Sequence, residues 1–185
     1  MRAIKKITSI IFALLFTLIL LGECAYASYP GDYFELYRTA DSYNGKQSTE
    51  AGQCKGFIRL VFREALGISV PSTQSNDWSR WEDNGEFMEV GHVTLDSPSL
   101  AINASKLKSL MALASPGDAI QMDIHKDTSN PSCHSMLFLG YEDGGIAVYH
   151  SNWKPNNYVS KDIFALMDMI DYIGSGGGIT VYRPK

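Results

Sequence analysis

The stretch Gln53-Cys54-Lys55-Gly56-Phe57-Ile58-Arg59-Leu60-Val61-Phe62-Arg63-Glu64-Ala65-Leu66-Gly67 decides how the chain is read. Phe57, Ile58, Val61, Phe62 and Ala65 recur at helical spacing, which predicts an amphipathic helix from Cys54 to Leu66 stopped by Gly67. Cys54 then sits in the first turn. Unpaired backbone N–H groups and the positive end of the helix dipole favour a thiolate there. The same donors suit a developing oxyanion. Gly56 keeps the next turn small and leaves room for a substrate backbone. Taken alone, the feature reads equally well as a buried structural cysteine on a core helix.

Further along, strand patterns appear at Ala119–Ile124, His134–Tyr141, Ile146–Asn152 and Ile179–Arg183. Their connections are too short for parallel crossovers, so antiparallel pairing is expected. Other helices are expected from Asp32 to about Ala40, from Ser105 to Ala114, and from Lys161 to Asp171 with Ser160 as cap. Ser42–Gly52 is polar, with a turn at Asn44-Gly45. Pro71–Glu86 reads as a loop whose Trp78 and Trp81 are partial core or rim, with a substrate groove as the alternative. Helices first and antiparallel strands later make an α+β domain.

His134 heads a strand, where an imidazole can serve a cysteine nucleophile as base and then as acid. In the returning strand, alternation puts Ile146, Val148, His150 and Asn152 on one face. A three-residue hairpin at Glu142-Asp143-Gly144 would pair Tyr141 with Gly145 and His134 with Asn152, leaving His150 a diagonal neighbour. Either His150 or Asn152 could orient His134. A two-residue turn would instead face His134 with Trp153.

These motifs together resemble the NlpC-type cell-wall peptidases and the related CHAP amidases. Gln53-Cys54-Lys55-Gly56-Phe57 is similar to the Asp-Cys-Ser-Gly-Phe nucleophile motif of the former. Val70-Pro71-Ser72-Thr73-Gln74 resembles the Leu-Pro-Arg-Thr stretch that follows it, and Ser115-Pro116-Gly117-Asp118 the Pro-Gly-Asp step into the first barrel strand. His150-Ser151-Asn152-Trp153 resembles the Glu-x-Asn-Trp ending of the CHAP amidases, with His150 in place of the glutamate. The resemblance spans most of Tyr43–Trp153. It implies a papain-like fold and a catalytic set of Cys54, His134 and His150, with Asn152 nearly level for the third place. Tyr43 would correspond to the family's active-site tyrosine. From the residues alone, Gly56 leaves room for substrate and Trp153 could line a substrate groove, with a core or rim aromatic as the alternative. Gln53 and Lys55 depart from the family's Asp and Ser, and the segment after Lys161 is extra to the core family.

The first residues have a different character. Arg2, Lys5 and Lys6 precede an uncharged run from Ile7 to Leu21, and Ala25-Tyr26-Ala27 follows. These are the parts of a secretory signal peptide, expected to be cut after Ala27, with an uncleaved anchor as the alternative. Glu23 argues against lipidation of Cys24. Cleavage would leave 28–185 as a single secreted domain of net charge −6, against −4 for the 185-residue chain. Hydrophobic residues at 45% and charged residues at 19% exclude a disordered chain, and the negative charge argues against nucleic-acid partners. A monomer without membrane insertion is expected.

Cys54 and Cys133 would remain, and a disulfide between them is the main structural rival. Strand alternation opposes it, because Cys133 points away from Cys54 if His134 points toward it. Asp123, His125, Cys133, His134 and His150 lack the short paired spacing of a zinc site, so no metal and no cofactor are expected. His92 and His125 read as loop or exposed positions. The functional expectation is a secreted thiol hydrolase cleaving an amide bond in peptidoglycan peptides. The alternatives are a thiol acyltransferase using the same residues and a catalytically inactive binding module.

Overall fold

Runs of alternating or continuous apolar residues build a six-stranded sheet, and amphipathic helices cover it. The computed structural model describes residues 31–124, 132–153 and 156–185; the expected signal segment and His125 lie outside the described residues. In chain order the elements are α1 (Gly31–Ser42), α2 (Ser48–Ala51), α3 (Cys54–Leu66), β1 (Phe87–Thr94), α4 (Leu100–Met111), β2 (Ala119–Ile124), β3 (Ser132–Glu142), β4 (Gly145–Trp153), β5 (Asn156–Phe164), α5 (Leu166–Ile173) and β6 (Gly178–Pro184). The strands lie in the order β1-β6-β2-β3-β4-β5, every neighbouring pair antiparallel. Gly31–Lys185 forms one compact unit. No helix among the described residues is long and apolar enough to cross a membrane.

The pleat sends alternate residues into two cores. On one face, Leu137, Leu139, Ala147 and Tyr149 pack with Phe57, Ile58, Val61 and Phe62 of α3. On the other, Met136, Phe138, Ile146 and Val148 pack with Leu107 and Met111 of α4 and with Met169, Ile170 and Ile173 of α5. Each fully buried side chain of this size stabilises the fold by roughly 1.5–3 kcal/mol. Trp81 belongs to the first core. Its indole lies flat on Tyr182, centroids 4.3 Å apart, and its Nε1 donates to Gln121. Trp78 is partly exposed. Neither tryptophan lines the pocket that Cys54 and His134 share.

Several expectations need correction. The helix expected over Lys161–Asp171 forms only from Leu166 onward. β5 runs through Phe164, paired with β4 from Ile146↔Phe164 to Ser151↔Val159, and α5 begins only at Leu166. A strand edge offers this segment a full ladder of backbone bonds, which outweighs the helical spacing that Ile163, Phe164, Met167 and Ile170 show by straddling the junction. β1 was not expected. It pairs with β6 and is kinked between Glu89 and Gly91. His92 accordingly lies on a strand, half-buried, with Nδ1 2.8 Å from Thr180 Oγ1, and burial lowers its pKa. α4 starts at Leu100, earlier than the apolar stripe implied, because Leu100 and Ile102 face solvent.

The β3–β4 turn also differs. Glu142 pairs with Gly145, so the loop is Asp143-Gly144, both at positive φ (49° and 79°), a two-residue turn of the kind that suits strand twist. A bulge between Phe138 and Gly140 then takes up one residue, Leu139, and shifts the register. The ladder ends at Met136↔His150, the alignment that the three-residue loop would also have produced at that end. Turn and bulge compensate.

Candidate active site

The lead into α3 is tightly specified. Gly52 has φ +81° and ψ 157°, a conformation reserved for glycine, and a Cβ there would stand 2.9 Å from the backbone of Gly56. Ser151 Oγ donates to Gly52 O at 2.9 Å, tying this lead to β4. Gln53 is extended, and its carbonyl accepts the first helical bond, from Phe57 N–H at 2.8 Å. Cys54 is thereby held at the N-terminus of α3.

Beyond Met136↔His150 the strands β3 and β4 part, and Asn152 takes φ 59°. A pocket of about 680 Å³ opens there, with Cys54, Lys55, Gly56, Cys133, His134, Asn152, Trp153 and Tyr172 among its walls. Nothing lies within 4 Å of where a Gly56 side chain would begin, so the glycine keeps that wall open.

Cys54 Sγ donates to Cys133 O at 3.7 Å, and the backbone N–H groups of Ser135 and Lys55 favour its thiolate. Burial outweighs those donors and pushes the thiol above its ordinary value, with the Cys133 thiol adding to the rise. The helix end therefore does not by itself produce a resting thiolate, which corrects the expectation drawn from the first turn. Lys55 is half-buried beside it. Its pKa is lowered to about 8, chiefly by burial, and Nζ donates to Thr73 Oγ1 while sitting 5.3 Å from the Trp81 ring centroid.

His134 is buried, with its ring 4.4 Å from that of Trp153. Its Nε2 stands 3.3 Å from Nδ1 of His150. His150 in turn places Nε2 2.8 Å from Asp162 Oδ2, which also accepts from Ser160 Oγ at 2.7 Å. Burial drives both imidazoles toward the neutral form; at His150 the Asp162 carboxylate works in the opposite direction.

Five of the expected residues, Cys54, Gly56, His134, Asn152 and Trp153, share the pocket wall, with His150 directly behind His134. Asn152 is exposed and makes no hydrogen bond to His134; the ring partner of His134 is His150. Tyr43 is elsewhere. Its hydroxyl donates to Glu64 and its ring meets Phe57 edge-on, so it contributes to the base of α3 and not to the pocket.

The sides of the sheet also sort differently from expectation. Ser135 bonds Gln121 on the Trp81 side, so alternation puts Cys133 on the face that α3 covers, together with Cys54. His134 and His150 lie on the other face, against Trp153 and Phe164. The thiol and the imidazole share the opening between β3 and β4, and no hydrogen bond joins them among the described residues. Both cysteines are free thiols. Asp162 escaped sequence reading because it fell inside the expected helix, and Ser160, expected as the cap of that helix, lies instead on β5. Among the described residues no cluster of three or more His, Cys, Asp or Glu is arranged to hold a metal ion.

Protein-family models, curated proteins and solved structures contain no match to this chain. The family resemblance thus rests on the short motifs quoted above.

Proposed function

We propose that this chain is a secreted cysteine hydrolase of papain-like architecture that cleaves an amide bond in peptidoglycan peptides. The observation that carries the reading is the shared pocket: a cysteine at a helix N-terminus opens onto the same 680 Å³ space as an imidazole anchored by a second imidazole. The cysteine helix packed on an antiparallel sheet supports the architecture.

In this reading Cys54 attacks the amide carbonyl and His134 takes its proton, then returns it to the leaving amine. The backbone N–H of Cys54 donates to the oxyanion, and water cleaves the thioester. The raised thiol and depressed imidazole mean that the resting pair is neutral, so the proton moves during attack and not before it. Sγ must also turn from Cys133 O toward His134, a side-chain rotation at the mouth of the pocket. An amine in place of water would give acyl transfer with the same residues.

The contact between Sγ and the Cys133 carbonyl favours one competing reading, a binding module without turnover. Purified peptidoglycan separates the two. The wild-type chain is expected to release peptide fragments detectable by mass spectrometry, and Cys54→Ala to lose at least about a thousandfold in rate. Full activity in Cys54→Ala overturns the mechanism. Retention on peptidoglycan without release, in both proteins, establishes the binding module. Iodoacetamide labelling of Cys54 is expected to keep accelerating above pH 9, as the raised thiol requires.

A further inference from the structure

Asp162 stands outside the pocket, yet it terminates the only chain of polar side chains that leads to the His134 ring among the described residues. The chain runs Asp162 Oδ2 to His150 Nε2 at 2.8 Å, then His150 Nδ1 to His134 Nε2 at 3.3 Å. We infer that Asp162 is a positioning residue, acting through His150 to fix His134 in the tautomer whose lone pair lies on Nδ1. The inference rests on the reading of His134 as the base.

The argument is one of donors and acceptors. A carboxylate oxygen only accepts, so a neutral His150 must carry its proton on Nε2. Its Nδ1 is then a lone pair, and the group facing it must donate. His134 therefore carries its proton on Nε2, which leaves Nδ1 as the unprotonated atom of a ring that lines the pocket. The opposite arrangement requires either two acceptors facing each other at 2.8 Å or a charged His150 with almost no exposure, and burial opposes that charge.

Position along β5 makes the device possible. Asp162 pairs with Val148 and Ser160 with His150, so the carboxylate reaches diagonally along the strand edge to the imidazole. Ser160 Oγ holds the same oxygen from the other side. Trp153 and Phe164 box the His150 ring, which leaves it little freedom to turn away. The Asp162 side chain is itself about half exposed (49%), so it keeps contact with water while the ring that it orients is dry.

Imidazole ¹⁵N NMR of the full chain near neutral pH tests this without any substrate. The expected spectrum has both His134 and His150 neutral and protonated on Nε2. In Asp162→Asn the side-chain amide can donate to His150 Nε2, so a mixed or reversed tautomer is expected at both rings, and Asp162→Glu is expected to restore the wild-type pattern. If peptide release is observed, Asp162→Asn should lower kcat by about 10- to 100-fold with little change in KM, the pattern of a misoriented base. A wild-type His134 protonated on Nδ1, or an Asp162→Asn spectrum with unchanged tautomers, overturns the inference. A wild-type chain with the expected tautomers and no peptide release would overturn the hydrolase reading and leave the tautomer assignment standing.

Discussion

His134 and Cys54 face one pocket from opposite sides of the sheet, and they are held by different means. The imidazole has a ring partner at 3.3 Å, a carboxylate behind that partner, and an indole across its face. The thiol donates one long bond, 3.7 Å to a carbonyl, and meets only backbone groups, the N–H of Ser135 and of Lys55, while its own backbone is fixed by Gly52 and a single serine bond. The difference assigns the work of adjustment. The imidazole side is tied through side chains, and in the proposed reaction the thiol is the part that must turn.

Two substitutions and one titration bear on that contrast. Gly52→Ala attacks the thiol side where its backbone is most constrained. Positive φ and a 2.9 Å approach to Gly56 predict a loss of about 1–3 kcal/mol in a urea or thermal unfolding experiment. Cys54 should be alkylated faster in this variant, because its helix start is loosened. Unchanged stability and labelling would mean that the glycine is dispensable, and the thiol side would then be no more constrained than an ordinary loop.

The imidazole side should reveal itself in the dependence of stability on pH. Both rings have folded-state pKa values below the ordinary 6.5, so the unfolded chain binds protons first as pH falls. The stability that the neutral rings contribute is present above pH 6.5 and is lost progressively below it. Melting temperature is expected to fall between pH 7.5 and 5. His150→Phe, which removes one of the two buried titrating rings, is expected to flatten that fall. A melting temperature independent of pH in the wild-type chain would contradict the buried, neutral pair.

Much of this arrangement could be read from the residues, and the failures have identifiable causes. α3 was legible to its last residue because Phe57, Ile58, Val61 and Phe62 are all buried on one stripe. β2 was legible because it is buried along nearly its whole length. β1 was hidden by its edge position: its residues are mostly half-buried, so neither alternation nor a continuous apolar run appears. β5 was misread because its last two residues continue into the spacing of α5 across the extended Ala165. That error concealed Asp162. The register at His150 came out as expected for the wrong reason, since the turn was one residue shorter and the bulge at Leu139 took up the difference. The placement of Cys133 failed on a premise: alternation was applied with His134 assumed to face Cys54, whereas the ring lies against Trp153.

The contact between Trp153 and His134 has an optical consequence. Trp81 is sealed in the first core against Tyr182, whereas the indole of Trp153 lies 4.4 Å from the imidazole of His134. Protonated imidazole quenches indole emission, and neutral imidazole does so far less. The chain therefore carries an intrinsic fluorophore at the wall of its own pocket. Its brightness should dim when His134 takes up a proton, over a background from Trp78 and Trp81 that Phe substitution of each would remove.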